Sequence, residues 1–175
     1  MTDARPNPAR AVDVRDLLEH PGSSRKVHLT EPFDGLETAL AVVPPDAPVQ
    51  VDVLLESVVE GILVSGPLSG RIDYHCARCL KPFSGGFRVE VTELFALDPA
   101  AEEDQYPVRE GAIDLEPMVR DAVLLAIPFS PLCRTDCLGL CERCGGDRNL
   151  GECSCPPAVD PRWEPLGRLG LDQLT

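Results

Sequence analysis

The residues of this chain whose type and spacing allow chemistry are its eight cysteines. Six lie in the run C-R-T-D-C-L-G-L-C-E-R-C-G-G-D-R-N-L-G-E-C-S-C, at Cys133, Cys137, Cys141, Cys144, Cys153 and Cys155, and the other two form a lone C-x2-C at Cys76 and Cys79. Thiolates are soft ligands that favour a tetrahedral d10 ion, and C-x2-C or C-x3-C offers two sulfurs from one side of a tight turn. Cys141 and Cys144 followed by Gly145 have the form of a zinc knuckle, in which backbone N–H groups point at sulfur and glycine takes the positive φ. Eight thiolates suit two closed sites of four, so Zn2+ is the expected cofactor, two ions per chain, with no open position for water or substrate. Such sites are structural rather than catalytic. The expected pairing joins Cys76 and Cys79 to Cys133 and Cys137, and leaves Cys141, Cys144, Cys153 and Cys155 as a second, local set.

Other uses of the cysteines fit less well. A disulfide framework suits an even count but needs an oxidising compartment, and residues 1–10 lack the apolar core of a signal peptide. A thioredoxin-type pair needs its C-x2-C at a helix N-terminus within a βαβ pattern, whereas Cys76 follows a strand-like run. His75 abuts Cys76 and is an alternative ligand, but the cysteine set is already complete.

The elements that must position these sulfurs follow from the rest of the chain. At 175 residues there is room for one domain with a real core and an appended module. The expected division is residues 1–24 as a disordered tail and short helix, 25–130 as a sheet-and-helix domain, and 131–175 as a cysteine-rich zinc module whose tail packs on the sheet domain. Val49, Val51, Val53, Leu55 and Val59 alternate with Gln50, Asp52, Glu56 and Glu60, the period of a half-buried strand. After Gly61, Ile62, Val64, Leu68, Ile72 and Tyr74 share one parity with Gly66 and Gly70, predicting a long strand bent near the glycines or Pro67. Phe87, Val89 and Val91 then alternate on the far side of Cys76-Ala-Arg-Cys79, so the C-x2-C is expected at the tip of a hairpin in an antiparallel meander. A first strand is expected over Lys26 to Glu31, and a short helix over Val12 to His20.

Residues 98–112 read as an acidic surface loop. Asp114 reads as the N-cap of an amphipathic helix in which Met118, Val119, Ala122, Val123, Ala126 and Ile127 recur at three- and four-residue spacing, stopped by Pro128. That helix is expected to cover the sheet and to return the chain to the hairpin tip at Cys133. The expected fold class is therefore α+β: an antiparallel β meander covered by an amphipathic helix, with a cysteine-rich zinc-binding C-terminal segment. Trp163 reads as a packing anchor for the tail.

Charge narrows the partners. The formal net charge is −13, which disfavours non-specific attraction to nucleic acid or anionic membrane and favours a basic partner. The acids concentrate between Asp98 and Asp121, including Glu102, Glu103 and Asp104, while basic residues lie between or beside the cysteines: Arg78, Lys81, Arg134, Arg143 and Arg148. These five offset thiolate charge, or meet RNA or another partner. No apolar run approaches the roughly 20 residues needed to span a bilayer, so the expectation is a soluble, cytoplasmic protein.

The order of parts, with C-A-R-C-L at 76–80, I-P-F-S-P-L-C ending at Cys133, C-L-G-L-C-x2-C-G from Cys137, a late C-x-C and D-P-R-W at 160–163, closely resembles the YceD family of large ribosomal RNA subunit accumulation proteins. The resemblance spans roughly residues 25–170 and implies a role in ribosome biogenesis, with no enzymatic activity and no small-molecule substrate. It leaves the mechanism open. No P-loop, nucleophile elbow or H-E-x2-H is present. The readings left are an assembly factor binding a ribosomal protein and/or large-subunit precursor rRNA, a zinc-stabilised protein-adaptor or transcription-related module, and a thiol redox switch.

Overall fold

The computed structural model describes residues 10–98, 105–156 and 162. Most of the chain is antiparallel β-sheet. Strands β2 (Ser24–Glu31), β5 (Val49–Val58), β6 (Gly61–His75) and β7 (Pro82–Ala96) lie side by side, each antiparallel to the next. The short β3 (Glu37–Thr38) and β4 (Ala41–Val42) continue the β5 edge of β6 towards its far end, where Ala41 pairs with Tyr74. β8 (Tyr106–Pro107) joins β7 in parallel, making seven strands in all. A separate ribbon pairs β1 (Ala11–Asp13) with β9 (Ala112–Asp114). The helices are α1 (Arg15–Leu18) and α2 (Leu115–Ala126).

The period-two patterning sets which face is buried. Val49, Val51, Val53 and Leu55 of β5 and Ile62, Val64, Leu68, Ile72 and Tyr74 of β6 are all buried in one core, joined by Val91 and Phe95 of β7. Leu115, Met118, Val119 and Val123 of α2 are buried in that same core. Asp114 caps the helix as expected, its carboxylate accepting from Glu116 N at 2.9 Å. Val59 departs from the expected parity: β5 ends at Val58 and Val59 is 95% exposed in the turn.

The N-terminal segment differs more. Helix is confined to the single turn Arg15–Leu18, because Ala11–Asp13 extend to pair with Ala112–Asp114. Arg10 is anchored rather than loose: its guanidinium pairs with Glu116 at 2.7 Å, lies 4.2 Å from the Phe33 ring centroid and donates to Pro32 O. Opposed by burial, Arg10 and Arg120 still hold the Glu116 carboxyl below its ordinary pKa. Residues 1–9, the acids Glu102, Glu103 and Asp104, and Trp163 with the tail beyond it lie outside the described residues.

The bend expected in β6 falls at Gly66-Pro67. The β5–β6 ladder pairs Val51 with Leu68 and Leu54 with Ser65 but skips Asp52 and Val53, since Pro67 has no N–H to give. Gly66 has φ +144°, and a Cβ there would sit 2.3 Å from Asp52 O. Gly66→Ala should therefore cost about 2 kcal/mol or more. Gly86→Ala, whose Cβ would meet only Gly70 O at 3.6 Å, should be neutral or slightly stabilising. Urea unfolding followed by far-UV circular dichroism checks both.

Candidate metal centre

β6 and β7 pair without interruption from Gly61–Ala96 to His75–Pro82, so the hairpin tip is a short connection held firmly on both sides. Within it Leu80 N donates to Cys76 O at 2.9 Å and Cys76 N to Lys81 O at 3.0 Å. Leu80 takes φ 59°, the left-handed conformation. The turn at Cys141 repeats this pattern: Gly145 N donates to Cys141 O at 2.8 Å, Cys141 N to Gly146 O at 2.9 Å, and Gly145 has φ 72°. Two C-x2-C turns of one geometry thus exist, with leucine doing in the first what glycine does in the second.

The chain from α2 returns to the tip as expected. Ala77 N donates to Pro131 O at 2.8 Å, and Leu132 packs against a cluster of buried Cys76, Cys79 and Cys137. Phe83 packs both on that cluster and on the main core, where its ring stacks on Tyr74 at 5.1 Å. Leu140 N donates to Arg78 O at 3.0 Å, carrying the chain across the tip into the second turn.

The sulfurs gather into Cys76, Cys79, Cys133, Cys137 and Cys141, Cys144, Cys153, Cys155, with the ligand atoms of each set within 4.8 Å of one another. Zn–S bonds of about 2.3 Å in a tetrahedron place sulfurs about 3.8 Å apart. Cys76 and Cys137 sulfurs are 3.8 Å apart and those of Cys79 and Cys133 3.7 Å, which fits that figure and leaves all eight cysteines unbridged. The first donor set therefore fits a tetrahedral thiophilic dication, and the second offers the same four-thiol chemistry with its sulfurs within 4.8 Å of one another. His75 is exposed at the end of β6 and belongs to neither set. The first set is mostly buried, Cys133 being exposed, and the second is intermediate to exposed throughout.

The thiols do not titrate alike. Burial opposes ionisation of Cys76, yet the backbone N–H groups of Cys133, Cys79 and Arg78 aimed at its sulfur outweigh that and bring it to about 6. In the second set, N–H groups of Cys144 and Arg143 lower Cys141 to about 6. The partners go the other way: although Cys133 is exposed as a residue, desolvation of its sulfur and the neighbouring sulfurs push it up to about 12, and Cys155 goes to about 12, first by Cys144 and Cys153. Each set thus favours one thiolate and resists a second, a repulsion that a bound dication would relieve.

Of the five basic residues singled out in the sequence, Lys81, Arg134 and Arg78 are engaged internally. Lys81 Nζ lies 2.7 Å from Asp147 Oδ2, and the Arg134 guanidinium donates to Asn149 Oδ1 at 2.7 Å and pairs with Asp136 at 3.4 Å. Arg78, Arg143 and Arg148 line a cleft of about 620 Å³ between the hairpin tip and the second sulfur set. Arg78 donates to Cys137 O at 2.8 Å, while Arg143 and Arg148 are exposed and have no carboxylate partner among the described residues. Sequence reasoning missed Asp147 and Asn149, although a D-x-N between ligands carries the signal of an Asx turn. Asn149 N donates to Asp147 Oδ1 at 2.8 Å. Lys81 first, then Asn149, holds the Asp147 carboxyl at about 2.

A largely antiparallel sheet carrying two four-cysteine clusters defines a β-sheet protein with candidate structural metal centres. The family model described as large ribosomal RNA subunit accumulation protein YceD matches residues 64–170. The chain belongs to the YceD family. An uncharacterized protein of Mycobacterium tuberculosis is 40% identical over 164 residues, covering 89% of this chain and 78% of that protein. One from Mycobacterium leprae is 36% identical over 163 residues, covering 88% and 74%. The Arabidopsis thaliana protein named large ribosomal RNA subunit accumulation protein YCED homolog 1, chloroplastic, is 34% identical over 65 residues, 37% of this chain and 20% of that protein. No solved structure matches the chain.

Leu80 is 57% exposed as well as left-handed, so its side chain gains little by burial. A left-handed non-glycine costs about 1–2 kcal/mol, and glycine gives back about 0.5–1 kcal/mol through the freer unfolded chain. Leu80→Gly should accordingly be neutral or stabilising by up to about 1 kcal/mol in thermal unfolding under reducing conditions.

Proposed function

We propose that this protein is a non-enzymatic, zinc-binding ribosome biogenesis factor that supports accumulation of large-subunit ribosomal RNA. Membership of the YceD family supports the pathway, and the tetrahedral spacing of the first set's sulfurs supports the metal. The observation that carries the reading is the hairpin tip. The sheet domain projects Cys76 and Cys79 into contact with Cys133 and Cys137, so two distant parts of the chain, joined also by the Ala77–Pro131 and Leu140–Arg78 hydrogen bonds, converge on one candidate metal site. Zinc bound there would act as a cross-link of four thiolates. Its coordination is closed, so this chain's own surface does the binding.

In this reading residues 25–130 form the scaffold, with α2 as the amphipathic cover of the meander, and residues 131–175 form the zinc module that presents the basic cleft. Arg78, Arg143 and Arg148 suit the phosphates of precursor rRNA, whereas the acidic stretch around Glu102, Glu103 and Asp104 and the net charge of −13 suit a basic ribosomal protein. No helix among the described residues is long and apolar enough to cross a membrane. The cytoplasm, where ribosomes assemble, is the proposed location. A protein-adaptor module would share the zinc but not the ribosomal partners, and a redox switch would lose metal as its cysteines pair.

Protein purified with its thiols reduced should contain about two zinc ions per chain by elemental analysis. None would overturn the metal reading. Because Cys133 and Cys155 lie near 12 without metal, binding must displace their protons near neutral pH. Zinc affinity measured by chelator competition should therefore fall as pH drops from about 8 to about 6, with protons released on binding. Charge reversal at Arg143 and Arg148 should weaken co-sedimentation with large-subunit precursors and flatten its salt dependence. Unchanged precursor association with the fold intact would sink the RNA-contact reading.

A further inference from the structure

Asn149 belongs to the loop between Cys144 and Cys153, yet its side chain serves the other sulfur set. Its Nδ2 lies 3.6 Å from Cys137 Sγ and donates to Asp147 Oδ1 at 2.8 Å. Its Oδ1 accepts from Leu138 N at 2.8 Å and from Arg134 at 2.7 Å. Asp147, only 5% exposed, uses its other carboxylate oxygen to hold Lys81, two residues beyond Cys79. A continuous run of contacts therefore goes from Lys81 through Asp147 and Asn149 to Cys137. It starts and ends beside the first set and passes through a loop whose ends belong to the second.

Apart from that run the loop is held by backbone contacts: Arg148 N donates to Gly139 O at 3.0 Å, Cys141 N to Gly146 O at 2.9 Å, and Leu150 N to Asp147 O at 3.1 Å. Asp147 N donates to Glu152 Oε2 and Glu152 N to Asp147 O, each at 3.2 Å, and Leu140 bridges to Asp147. Its ends are set by Cys144 and Cys153, neither of which lies in a helix or strand, so an ion shared by their sulfurs would fix the spacing of those ends. An amide N–H directed at a thiolate favours the charged, ligating form and fixes the sulfur's orientation, and outer partners of this kind are worth about 10–100-fold in metal affinity.

We infer that Asn149 is an outer-sphere positioning residue for the first metal site, and that metal at the second site raises the first site's affinity by closing the loop that delivers Asn149 and Asp147. The inference rests on the reading that both sets bind zinc. Coupling between two binding equilibria is reciprocal, so filling the first site must strengthen the second by the same factor.

Stepwise zinc affinities of the full chain, measured by competition with a chromogenic chelator under reducing conditions and supported by cobalt(II) thiolate absorption, test this. Disabling the second site with Cys144→Ser and Cys153→Ser should weaken the first about tenfold or more. Disabling the first with Cys79→Ser and Cys133→Ser should weaken the second by that same factor. Asn149→Ala should weaken the first site about tenfold when the second is filled, and much less when the second is disabled. Asn149→Asp keeps the acceptor for Leu138 and Arg134 but loses the donors to Cys137 and Asp147 and sets a carboxylate against Asp147, so it should weaken the first site at least as much as Asn149→Ala, with the fold retained by circular dichroism. First-site affinity within twofold of the unaltered protein in both Asn149 variants, or Asn149 effects independent of the second site, would overturn the coupling while leaving the metal reading standing. Absence of zinc binding by the unaltered chain would overturn both.

Discussion

The β6–β7 ladder is the constraint on which the rest depends. It keeps one register from Gly61–Ala96 to His75–Pro82, so side-chain parity set in the core is transmitted to the tip. Ile62, Val64, Leu68, Ile72 and Tyr74 face inward, and Cys76 continues their parity to become fully buried. A one-residue slip would turn Cys76 outward together with the whole apolar row. The position of the Cys76 thiol is therefore fixed largely by hydrophobic burial up to seven pleat repeats away along β6, at Ile62. Phe83 spans the junction, touching the main core on one side and the sulfur cluster on the other.

Charge explains the surroundings of the sulfurs. Four thiolates about one dication would leave a formal −2, which cations near each set would offset. The structure divides that task unevenly. Lys81 and Arg134 are committed to Asp147, Asn149 and Asp136, and Arg78 to a backbone carbonyl, which makes them part of the architecture. Arg143 and Arg148 stand at the open cleft. The cysteine loops in this way gather arginines that are scattered in sequence into one cleft, beside Glu142.

Much of this was legible in the residues. Alternation located β5, β6 and β7, the N-cap located α2, and cysteine spacing located both knuckles, because each is a local pattern with a short period. The failures are non-local. Ala11–Asp13 has no alternation of its own and becomes a strand only because Ala112–Asp114, about a hundred residues away, supplies the edge. Arg10 sits in a Pro- and Arg-rich stretch that reads as a loose tail until Glu116 and Phe33 are placed beside it. Leu80 could not be assigned its left-handed turn from residue type, since leucine is among the residues that avoid that conformation. Asp147 and Asn149 were missed for a related reason: their importance lies in contacts to Lys81 and Cys137, on the other side of the module.

The two sulfur sets differ in what supports them, and that difference suggests an order of dependence. The first set borrows rigidity from the sheet, through the hairpin and the buried cluster of Cys76, Cys79 and Cys137. The second has no such backing: its cysteines are intermediate to exposed, and the described chain around it contains turns and one isolated bridge rather than helix or strand. A site of that kind must draw its order from its ligands. The Lys81–Asp147 pair and the Asn149 amide then run from the ordered half to the less ordered one, and the walls of the arginine cleft come from both halves. The shape of the cleft is consequently a property of the joined module, so any partner that reads Arg78 together with Arg143 and Arg148 reads the closed arrangement of both cysteine sets at once.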